Sequence, residues 1–221
     1  MTQKLTRWNL TLCAALTFGC VLQAADDTVI FGYRPGTKLT INGTSTIHDW
    51  EVQGAIIGGV LEVERAFLTD KSLKSVASLL TKGKAPKVDV FIPVRSLKSK
   101  YQKMDEIMQE AMKMKDNPKI LYKLTEMVLK GTVPESGSPV KFDTKGELAV
   151  AGVTNKIDME VTLERIENDQ VKFSGTKQVK MTDFKITPPS PAIAGGMIKT
   201  ADEVTVGFEW VLGARQPAPA K

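Results

Sequence analysis

The chain has 221 residues, 42% hydrophobic and 25% charged, with 30 Lys and Arg against 25 Asp and Glu, one histidine and two cysteines. That length suits one well-packed domain and is short for two. The formal charge of +5 is spread among acids along the whole sequence, so no basic stripe for nucleic acid is present. One histidine is too few for a zinc site of ordinary nitrogen and sulfur ligands unless the cysteines contribute.

The cysteines do not contribute to the mature chain. Lys4 and Arg7 form a basic start, Leu10 to Leu22 is an apolar run too short to span a bilayer comfortably, and Ala24-Ala25 precede Asp26-Asp27. This order predicts a secretory signal over residues 1–24 and a periplasmic or secreted product, not an integral membrane protein. Cys13 and Cys20 both lie inside the signal, which removes disulfides and thiol catalysis from the mature chain. A lipoprotein signal acylated at Cys20 is the alternative, and bulky Phe18 fits it poorly. Loss of Lys4 and Arg7 lowers the charge to +3.

Residues 25–213 are expected to form one domain. Thr28 to Tyr33 and Thr37 to Asn42 read as strands around a turn at Pro35-Gly36. The stretch from Asn42 to Val63 holds the only histidine, and Gly58-Gly59 within it predicts a hairpin turn. Beyond it, Val60 to Phe67 alternates. Asp70 is a candidate cap for a helix burying Leu73, Val76, Ala77 and Leu80. Val88 to Val94 is strand-like, with Pro93 at its edge. Met104, Ile107, Met108, Ala111 and Met112 fall at helical spacing opposite charged residues and predict an amphipathic helix ending before Asn117-Pro118. Its methionine face reads either as a plug over a core or as an adaptable lid over an apolar ligand.

The rest is β-like. Ile120 to Leu129 is a long strand, and Phe142 to Val150 should pair with Thr154 to Ile166 across Ala151-Gly152. Asn168-Asp169 turns into Val171 to Met181. A loop rich in proline and glycine follows, over residues 188–196. Val204, Val206, Phe208, Trp210 and Leu212 then alternate in the last strand, and residues 214–221 form a tail expected to be disordered. Eight to ten strands with short connections and one or two short helices predict an all-β antiparallel sandwich or closed barrel.

Catalytic arrangements are scarce. His48-Asp49 is the motif of metal phosphohydrolases, but those need further histidines. No serine sits in a Gly-x-Ser-x-Gly turn, although a triad using His48 is a matter of space rather than sequence. The plainer reading makes His48 a polar residue at a strand start. Asn42-Gly43-Thr44 formally matches a glycosylation acceptor.

Several segments together resemble the YceI-like family. They are Gly43 to Trp50 with its His-Asp-Trp triplet, Val88 to Leu97, Met104 to Ile120, the G-x-L-x-x-x-G-x-T pattern from Gly146 to Thr154, Thr182 to Ile186, and Asp202-Glu203-Val204. Lys185 departs from the pattern by standing where glycine is usual. Val76 to Lys84 looks like added sequence, and Lys103-Met104-Asp105 replaces an arginine-aspartate pair. The resemblance implies a lipocalin-like antiparallel barrel of about eight strands whose lumen holds a polyisoprenoid or quinone-like lipid, for carriage or storage rather than turnover. No cofactor or metal is implied, and association of two barrels is left open. On this basis Trp50, Phe91, Met108, Met112, Leu148 and Val150 are candidates to line the lumen, together with Phe173, Phe184, Phe208 and Trp210. An isoprenoid tail there gains roughly 25 cal/mol per Å² of apolar surface buried. Two alternatives come from other classes: an envelope interaction module whose core is filled, and a hydrolase using His48.

Overall fold

The computed structural model describes residues 28–69, 79, 85–132, 139–166, 170–190 and 197–215. The predicted signal, and the helix expected from Asp70 apart from Leu79, lie outside the described residues. Ten strands form one antiparallel sheet: β1 (Thr28–Tyr33), β2 (Lys38–Ser45), β3 (Trp50–Gly54), β4 (Gly58–Glu64), β5 (Lys87–Pro93), β6 (Lys119–Leu129), β7 (Val140–Val150), β8 (Val153–Ile166), β9 (Gln170–Lys180) and β10 (Thr200–Ala214). Among the described residues, helices α1 (Ala66–Thr69) and α2 (Gln102–Ala111) lie between them.

The sheet runs β1-β4-β5-β6-β7-β8-β9-β10, and β10 pairs back onto β1. This closes an eight-stranded barrel, with β2 and β3 outside the ring on the edge of β10. Closure removes the edges of the eight ring strands and leaves β3 as the free edge, bridged at Gln53 by Lys98. Along β10, Leu212 pairs with Tyr33 of β1 and Glu209 with Lys38 of β2, so β2 follows β1 along one edge and lengthens the wall there.

The Gly58-Gly59 pair corrects the sequence reading. It makes no hairpin: Gly58 faces Phe91 and Gly59 faces Val90 within the β4–β5 ladder. A Cβ at Gly58 would strike the Phe91 ring. At Gly59, with φ +136, it would strike the Asp89 carbonyl. These glycines therefore permit close approach of the next strand rather than a reversal. The chain turns instead at residues 45–50, where Ser45 N donates to His48 O at 3.1 Å and Gly43 pairs with Trp50. The predicted tail begins too early as well. Ala214 pairs with Phe31, and Arg215 N donates to Ile30 O at 2.8 Å.

One end of the barrel is packed solid. Phe31, Leu61, Phe67, Val140, Phe142, Leu163 and Leu212 are fully buried there. The ring of Phe67, on α1, meets Phe31 edge-on at 5.7 Å, and the Arg165 guanidinium caps it while donating to Phe67 O at 2.7 Å. Where β3 breaks before β4, Trp210 Nε1 donates to the freed Ile57 carbonyl at 2.9 Å. The other end is not filled.

Candidate functional site

Strand alternation decides what faces the interior. Val204, Val206, Phe208 and Trp210 of β10 all point inward, as do Val88, Val90 and Ile92 of β5. Above this wall α2 turns Met104, Ile107, Met108, Ala111 and Met112 toward the lumen. The result is an outer chamber of about 390 Å³ beneath α2 and an inner chamber of about 150 Å³ toward the packed end. Leu39, Ile92, Leu148, Val179 and Val206 line both, so the two adjoin. The outer volume alone lies within the range of ordinary small-molecule pockets.

Of the predicted lumen residues, Trp50, Met108, Met112, Val150 and Phe184 line the outer chamber. Phe173, Phe208 and Trp210 line the inner one, and Leu148 lines both. Phe91 does not belong with them. On β5 it alternates to the outer face with Asp89, its ring over Gly58 and Lys119 Nζ 4.7 Å from its centre. The run from Val88 to Ile92 is apolar on both faces but for Asp89, and the outward aromatic is accommodated by a glycine on the neighbouring strand. Sequence reasoning missed Leu39, Ile41 and Val52 of the β2–β3 extension, and Met127, Met159 and Val179 on later strands. It also missed Tyr122, Thr144 and Lys177. Period-two alternation marks Met159, Val179 and Val206, whereas the polar residues carry no sequence signal for an apolar wall.

The position of α2 depends on one buried carboxylate. Asp105 accepts Ser99 N–H at 2.6 Å and the Ser99 hydroxyl at 2.8 Å, with Lys98 Nζ at 3.4 Å. Lys98 exchanges backbone hydrogen bonds of 2.7 and 2.8 Å with Gln53 of β3. Burial raises the Asp105 pKa, but the Ser99 donors and the Lys98 charge outweigh it and hold the carboxyl below its ordinary value. The start of the helix is thus tied to the edge of the β2–β3 extension.

His48 stands at the mouth, exposed, in the turn between β2 and β3. Its Nδ1 lies 2.8 Å from the Asp49 carbonyl, which can only accept, so Nδ1 carries the proton. Ser45 bonds the His48 backbone, not the ring: its hydroxyl donates to His48 O at 2.8 Å and accepts from His48 N at 3.2 Å. Beside it Trp50 lies against Gly43 and donates Nε1–H to Thr44 O at 3.2 Å. Thr46 ties the turn to the segment before β10, donating to Met197 O at 2.8 Å. Among the described residues no cluster of three metal-ligating side chains is present, and no helix is long and apolar enough to cross a membrane.

The YceI-like domain model matches residues 47–212, three quarters of the sequence. The chain belongs to the YceI-like family. No curated protein matches it. Among solved structures it is similar to BcnA of Burkholderia cenocepacia, at 15% identity over 79% of this chain and 95% of that one, with a TM-score of 0.59. A polyisoprenoid-binding domain from Saccharophagus degradans, implicated in plant cell wall breakdown, aligns at 11% identity over 85% of this chain and 99% of that one, with a TM-score of 0.62. A Campylobacter jejuni YceI protein aligns at 18% over 75% and 85%, with a TM-score of 0.51. At these identities the likeness shows the fold, and the YceI-like barrel is common to all.

Proposed function

We propose that this YceI-like barrel binds a polyisoprenoid or other amphiphilic lipid in its two chambers and carries or stores it in the periplasm or outside the cell, without turnover. The observation that carries the reading is an apolar hollow of about 390 and 150 Å³ in a barrel whose opposite end is fully packed. A domain evolved only as an interaction module has no use for that volume, since unfilled apolar space forfeits dispersion contacts and costs stability. The polyisoprenoid-binding relative supports the ligand class. Secretion is supported by the charge, apolar run and small residues before Asp26.

A non-enzymatic role is supported at His48, where the neighbouring Ser45 hydroxyl is spent on the His48 backbone rather than its ring. The deciding experiment is native mass spectrometry with organic extraction of protein purified without detergent. A co-purifying prenyl or acyl lipid is expected. Protein repeatedly ligand-free and unable to take up prenyl lipids would overturn the proposal. The lipid should be recovered chemically intact from wild type and His48→Ala alike, and a product that forms only with wild type would favour the hydrolase.

A further inference from the structure

The inner chamber is walled almost wholly by aliphatic and aromatic side chains, among them Leu124, Met127, Ile157 and Phe173. Its polar groups are few, and all but one are occupied. Trp210 Nε1 is spent on Ile57 O, and the Thr144 hydroxyl donates to Met159 O at 2.9 Å. Lys177 Nζ meets Asp158 at 3.4 Å. The Tyr122 hydroxyl is buried and makes no hydrogen bond within the fold, although the Thr144 hydroxyl is near enough to act on it. Buried polar groups are normally satisfied, so such a group asks for a partner from outside the fold.

The ring is placed deliberately. Tyr122 on β6 lies over Gly146 on β7, where any Cβ would collide with the ring and its hydroxyl. We propose that the inner chamber is a subsite for an uncharged oxygen acceptor, a carbonyl or hydroxyl at the buried end of the lipid, which the Tyr122 hydroxyl holds as hydrogen-bond donor. This rests on the reading of the barrel as a lipid carrier and names the chemistry of the end that enters first. Burial pushes the Tyr122 hydroxyl above its usual range, with Thr144 tempering the rise, so it stays protonated and can donate. A charged head group does not fit, because the apolar walls penalise it and Lys177, which reaches the wall, turns its ammonium to the exposed Asp158 at 3.4 Å. Because Leu148, Val179 and Val206 line both chambers, a chain lying under α2 reaches Tyr122 with its end.

The test uses delipidated full-length protein and two probes of equal length, a diterpenoid methyl ketone and the matching hydrocarbon. Wild type should prefer the ketone roughly two- to tenfold, the worth of one net hydrogen bond. Tyr122→Phe, which keeps the ring, should lose that preference while binding the hydrocarbon at least as well. Infrared spectroscopy of the bound ketone should show a lowered carbonyl stretch in wild type and an unbonded one in the variant. Equal binding of both probes by wild type, or an unbonded stretch in wild type, would overturn the inference while leaving the carrier reading intact. So would a preference that survives Tyr122→Phe. The wild-type stretch decides the matter even if the variant fails to fold. If wild type binds neither probe, the carrier reading falls first and takes this subsite with it.

Discussion

Asp105→Asn should detach the start of α2 from the β3 edge, with an effect that depends on pH in a defined direction. Asp105 is 7% exposed and accepts two hydrogen bonds from Ser99, at 2.6 and 2.8 Å. Hydrogen bonds to a charged acceptor contribute about 1.5–3 kcal/mol each, and bonds shared by one residue are not additive. Lys98 contributes little, because its side chain is 59% exposed and its charge is screened. Asparagine keeps one acceptor, so the expected loss is about 2 kcal/mol at neutral pH. The folded carboxyl has a pKa below its ordinary value of 3.8. Its stabilisation is therefore fully present above about pH 4 and is lost as pH falls through the lower folded value. Urea denaturation of wild type and variant should show the gap at pH 7 and its closure on acidification. Hydrogen exchange across residues 102–111 should accelerate in the variant at neutral pH. A gap that stays constant down to the lowest pH, or none at pH 7, would refute the account of α2 as held by an ionised Asp105.

Other outcomes follow from particular positions. Leu148 lines both chambers, so Leu148→Trp should fill their junction and abolish lipid uptake in native mass spectra while leaving the melting temperature unchanged or raised; undiminished uptake would count against the cavity as the site. Gly59→Ala, at φ +136 with the Asp89 carbonyl in the way, should destabilise by about 2 kcal/mol or more, checked by thermal melting. Lys185 adopts φ 55 and ψ 32, a left-handed conformation that costs a side chain about 1–2 kcal/mol. Lys185→Gly should relieve that strain and, after the added freedom of the unfolded chain, gain about 0.5–1 kcal/mol in urea denaturation.

Most of the wall was legible because period-two alternation is local. The face carrying Val204, Val206, Phe208 and Trp210 is the lumen face, and Met104 to Met112 do form the helix face over the chamber. Lys185 stood out against the glycine of the family pattern, and its positive φ supplies the reason. Two features misled. Phe91 is as apolar as its inward neighbours, and only the ladder with Gly58 turns it outward. Gly58-Gly59 carries the composition of a turn, but the same freedom serves close strand approach, and composition does not separate the two uses.

By itself the sequence determined the strand periodicity and the amphipathic helix, since each is set by neighbours a few residues apart. Closure of β10 onto β1, the packed end and the hollow end depend on side chains from strands far apart in sequence meeting in the middle. Whether they meet or leave space is a property of volume in three dimensions. The buried Tyr122 hydroxyl belongs to the same class: its environment is made by Gly146 and Thr144 on the neighbouring strand, and no local pattern announces it.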